Sequence, residues 1–181
     1  MANTLFSQYR QQNLKELIDH LKKDYYDIIA VNCRQIHDIA HSMGDHPHAD
    51  GNSRYIALCA ELATDIRNDI HLSEVIIPPY VYELHEKTSS HHDCANCSGA
   101  CHLNHNMQMR GIQAAHTRVK EQLRRLGEIA LQEEEENTTS VKLLRNEISC
   151  LDTILTELIF LEEAILIPKI IEAQTAINAS H

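Results

Sequence analysis

Apolar residues recur every three or four positions over four long stretches of this 181-residue chain, and nowhere do they alternate with period two. That pattern calls for amphipathic helices and leaves no half-buried strand, which would need an apolar side chain at every second residue. The first stretch runs from about Leu14 to Met43, with Leu14, Leu17, Ile18, Leu21, Tyr25, Ile28, Ile29, Ile36, Ile39 and Ala40 on one stripe. Gly44 stops it, and GDHPHADGN reads as a turn-rich loop. The second begins near Ser53, a suitable N-cap, and continues through Tyr55, Leu58, Leu62, Ile66, Ile70 and Ile77. Pro78 and Pro79 should kink or end it, although residues 80–87 can carry it on. The third runs from about Met107 to Gln132 on Ile112, Ala115, Val119, Leu123, Leu126 and Ile129. The acidic run EEEE reads as a solvated helix end. Thr139 or Ser140 can then cap a fourth stretch carrying Leu144, Ile148, Leu151, Leu155, Leu158 and Ile165, which should stop near Pro168. The expected fold is all-α: one domain over residues 1–181, an antiparallel up-down four-helix bundle with a Cys/His-rich loop at about 88–106.

Composition narrows the partners. A formal net charge of -10 argues against nucleic acid and anionic membrane surfaces. No apolar run reaches about 18 residues, and residues 1–10 lack the charged-then-apolar pattern of a secretory signal, so a cytoplasmic protein is expected. In that setting six Cys are thiols or metal ligands rather than a disulfide framework. Thirteen His, beyond what surface solvation calls for, raise the expectation of metal chemistry.

The stretch HHDCANCSGACHLNH, residues 91–105, concentrates soft ligands. Cys94, Cys97 and Cys101 are spaced i, i+3, i+7, and His102, His105, His92 or Asp93 can supply a fourth ligand. Tetrahedral zinc is the simplest filling, an iron–sulfur cluster the second and a Cys94–Cys97 disulfide the third. A thiol-rich loop without metal is the plain alternative. Cys33, Cys59, Cys150 and His37 fall toward one end of the expected bundle, where a second thiolate site is geometrically possible. Packing as small hydrophobes is the preferred reading of these Cys, with Cys150 at the edge of its stripe.

Two segments end alike, DIHLSEVIIPP on the second helix and LIFLEEAILIP on the fourth, while the first carries LIDHLKKDYYD and the third IQAAHTRVKEQL. With the loop GDHP, these segments resemble the hemerythrin-like di-iron proteins, closest to the repair-of-iron-centres group that restores iron–sulfur clusters after nitric oxide or peroxide damage. The resemblance covers roughly Leu14 to Glu172. It implies a bundle holding one or two iron ions through inward N/O ligands. It also implies diatomic partners such as nitric oxide or dioxygen and iron–sulfur proteins as clients. A homodimer is compatible with it.

Position by position, the family's histidine after Tyr25 is Tyr26 here. Counting back from Pro79 gives Asp69 and Ser73 where the family has His and Glu, with Glu74 one place late. His116 matches on the third helix. Counting back from Pro168 gives Leu158 and Glu162, of which only the Glu is kept. The implied metal set is therefore Tyr26, Asp69, Glu74, His116 and Glu162, which suits one metal better than two. The same residues also permit a metal-free hydrogen-bond cluster, and His71 with Glu74 is a competing ligand pair. Three functions follow: iron handling under nitrosative or oxidative stress, a metal or redox sensor built on the Cys94–Cys97–Cys101 loop, and, last, oxidoreductase chemistry at the bundle metal. No nucleophile motif, phosphate loop or dinucleotide fingerprint is present.

Overall fold

The computed structural model describes residues 6–44, 53–90, 106–132 and 138–179. Five helices pack against each other, and the described residues contain no strand. Helix α1, Ser7–Gln11, is too short to carry a periodic signal and was not expected from the sequence. It folds back so that Phe6 and Phe160 rings lie 4.9 Å apart and Tyr9 meets the His20 ring edge-on. Helix α2 follows from Leu14 to Gly44, α3 is Ser53–Ser89, α4 is Asn106–Gln132, and α5 runs from Thr139 to Ala179.

The start of α2 is closed by a capping box. Asn13 accepts the Glu16 amide and the Glu16 carboxylate accepts the Asn13 amide, both at 2.9 Å. At α5 the cap is Thr138, one place earlier than the sequence suggested. Its extended backbone lets the hydroxyl accept from the Val141 amide, which leaves Thr139 as the first helical residue.

Two helices contain a single π-helical turn. In α2 it is Lys22–Tyr26, between α-helical Leu14–Leu21 and Asp27–Gly44. In α5 it is Glu162–Leu166, between Thr139–Leu161 and Ile167–Ala179. Each turn is closed by an amide reaching five residues back, Asp27 to Lys22 and Ile167 to Glu162. One extra residue per turn shifts the phase of everything beyond it. Tyr25 and Tyr26 are both buried, and the stripe continues on Ile29, Cys33, Ile36 and Ala40. Ile28, expected inside on α-helical spacing, is 43% exposed.

Neither proline region ends its helix. α3 passes through Pro78 and Pro79 to Ser89 because Ile77, Val81 and Leu84 are buried along its length. Burying each contributes about 1.5–3 kcal/mol, so the three together are of the same order as the ~3 kcal/mol that each of the two internal prolines costs. α5 passes Pro168 directly after its wide turn, with Ile167 and Ile170 buried on either side.

Cross-helix contacts run in opposite order along neighbouring helices. Asp65 accepts from Gln122 at 2.8 Å and Asp69 from Arg118. Tyr25 donates to Glu157 at 3.3 Å, while Lys169 donates to the Gln12 carbonyl at 2.8 Å. No described helix is long and apolar enough to cross a membrane.

Cys33 and Cys59 are buried core thiols, and burial pushes both up to about 12. They are neutral and pack as hydrophobes. Cys150 departs from that expectation: it is exposed, because its position falls on the outer side of the helix between buried Ile148 and Leu151.

Candidate metal centre in the helical interior

Glu162 is a carboxylate only 3% exposed, the first residue of the π turn in α5. A charge buried this deeply is costly unless each oxygen is paired. Both are. Tyr26, fully buried at the end of the π turn in α2, donates its hydroxyl to Glu162 Oε1. His116, on α4, meets Glu162 Oε2 through Nε2 at 2.7 Å. Three helices thus each deliver one polar side chain to the same buried point, and both π turns lie at that point.

The cluster continues outward. His116 Nδ1 is 3.0 Å from Glu163 Oε1, and Lys120 Nζ is 3.6 Å from the same oxygen. Burial alone would lower the basicity of His116, but hydrogen bonds and the charges of Glu162 and Glu163 prevail and raise it above the ordinary histidine value. As imidazolium, both of its ring nitrogens donate, which satisfies both carboxylates. Burial, then Glu162 and Glu74, hold the Tyr26 hydroxyl well above the ordinary tyrosine value, so Tyr26 keeps its proton.

A small cavity of about 30 Å³ adjoins the cluster, enough for a water-sized occupant. Asp69, Ser73, His116, Leu158 and Glu162 all line it. These are the positions obtained by counting back from the two prolines and from the third helix, and they converge on one place. Apolar Ile66, Ile70 and Val119 complete part of its wall.

The predicted ligands are not equally placed. Tyr26, His116 and Glu162 form the core of the cluster. Asp69 faces the same cavity, but its two oxygens are taken by Arg118 Nη2 at 2.8 and 2.6 Å. Glu74 is half-buried and acts on Tyr26 through its charge. His71 is exposed while Glu74 is half-buried and faces Tyr26 electrostatically, so the competing His71–Glu74 pair is divided between solvent and interior. Among the described residues no group of three or more His, Cys, Asp and Glu side chains stands ready for a metal ion. Two such side chains and a tyrosine oxygen do converge. The 2.7 Å between His116 Nε2 and Glu162 Oε2 is a hydrogen-bond distance, and imidazole, carboxylate and phenol are the N and O donor types that hard and borderline metal ions take.

Arg118, Lys120 and Glu163 were not anticipated from the sequence. The paired EE before an apolar run was visible, but which glutamate turned inward depended on the π turn. Cys94, Cys97, Cys101, His102 and His105 lie outside the described residues, as do His92 and Asp93. The chain matches no family model, no curated protein and no solved structure.

Proposed function

We propose that the chain is an antiparallel up-down four-helix bundle of the hemerythrin-like kind, and that it binds one iron ion between Tyr26, His116 and Glu162. The observation that carries this reading is the buried Tyr26–Glu162–His116 junction, where three helices bring a phenol, a carboxylate and an imidazole to one point. The convergence of Asp69, Ser73, His116, Leu158 and Glu162 on one cavity supports the resemblance from which the register was counted. Asp69 is the available fourth donor once released from Arg118. Opposite running order of cross-helix contacts supports the bundle topology. The cellular role that fits is iron handling in nitrosative or oxidative stress, including supply of iron for iron–sulfur repair.

The test is anaerobic loading with ferrous iron, desalting and metal analysis. It compares wild type, Glu162→Gln, Tyr26→Phe and a Cys94/Cys97/Cys101→Ser variant. Iron retained by wild type and by the triple variant, but lost from Glu162→Gln, is the expected result. Iron lost only from the triple variant would overturn the reading and favour a sensor loop. Circular dichroism on each variant separates metal loss from unfolding.

A further inference from the structure

Glu163 follows Glu162 directly in the chain, yet the two carboxylates sit on opposite nitrogens of one imidazole. Glu162 Oε2 is 2.7 Å from His116 Nε2, and Glu163 Oε1 is 3.0 Å from Nδ1. We infer that Glu163 is a positioning residue: by accepting the Nδ1 proton of His116 it turns the Nε2 lone pair toward Glu162 and the ion. This rests on the metal reading above.

The chemistry requires such a residue. A metal-bound imidazole gives one nitrogen's lone pair to the ion and keeps its proton on the other. The acceptor at that second nitrogen fixes the tautomer, locks the ring and strengthens the ligand. Without an acceptor at Nδ1, His116 could place its proton on Nε2 and bond Glu162 instead, which would close the coordinating side.

Three features of the fold place Glu163 for the task. The π turn Glu162–Leu166 accommodates an extra residue, and the two glutamates at its start flank the same ring. Lys120, one helical turn beyond His116 on α4, lies 3.6 Å from the same Glu163 oxygen and helps hold that carboxylate beside the ring. The Glu163 side chain is 38% exposed against 4% for Glu162, so the ring is held from the solvent side and leaves the buried side to the ion.

The test uses zinc, a diamagnetic probe of the same site, titrated into metal-free wild type, Glu163→Ala and Glu163→Gln labelled with ¹⁵N at histidine. Alanine is expected to weaken zinc binding about 10–100-fold. Glutamine keeps an acceptor for the Nδ1 proton and should recover most of that loss. In zinc-loaded wild type the His116 Nδ1 proton should exchange slowly with water, and in Glu163→Ala it should exchange fast. Equal zinc affinity and equal proton protection in wild type and Glu163→Ala would overturn the role of Glu163 alone. Failure of wild type to bind zinc would overturn the metal reading beneath it. Glu163 is at the surface, and helical content measured on each variant shows whether a loss of binding is a loss of fold.

Discussion

At the scale of single residues, the buried Tyr26–Glu162–His116 junction is both the candidate site and a stability element. Tyr26→Phe leaves Glu162 Oε1 buried without its donor. Metal-free protein should lose about 1–3 kcal/mol, read from urea unfolding. The pH dependence has a definite sign. His116 binds its proton more tightly folded than unfolded. Its contribution is therefore full below the unfolded histidine value, near 6.5, and fades as pH rises through the raised folded value. Unfolding free energy of the metal-free wild type should fall across that window. His116→Gln should lack that component, and parallel pH curves for the two proteins would contradict the network. None of this was legible from composition. The donors were named in the sequence, but their mutual pairing depends on which side chains three helices bring to one point.

At the scale of elements, the two π turns decide where the site falls. Both were invisible to periodicity, because a one-residue phase shift in a stripe rich in Ile and Leu still looks apolar. Ile28 was counted inside for that reason and is exposed. Deleting Ala164, exposed within the second turn, should restore ordinary α spacing while the buried face beyond it keeps its place. Helical content should be unchanged by circular dichroism, and iron retention should be lost because Glu162 is turned away from Tyr26 and His116. Retention of iron by the deletion variant would show that the turn is incidental. The prolines teach the converse. Their local cost led to expected helix ends at Pro78–Pro79 and Pro168, but both helices continue and bury apolar residues beyond them. Pro79 is exposed, so Pro79→Ala should raise stability by about 1–3 kcal/mol in denaturant unfolding, with no change in metal content.

At the scale of the whole molecule, one apolar core joins all five helices around the polar junction. Leu151 is fully buried in α5, away from the cluster. Leu151→Ala should cost about 2–5 kcal/mol by denaturant unfolding. It should leave the iron affinity of the folded fraction largely unchanged, because the two sites share no partner.

The sequence by itself determined the four long helices, where they begin and most of the residues they bury, since amphipathic spacing is a local property read along one chain. Tyr26, His116 and Glu162 were named by aligning the chain with the hemerythrin-like pattern it resembles, position by position, rather than by periodicity alone. Tertiary structure alone decided that Asp69 turns to Arg118, that Glu163 shares His116 with Glu162, and that the prolines leave their helices intact. Each of those outcomes is a competition among partners on different helices. The winner depends on distances and burial that exist only after the helices have packed.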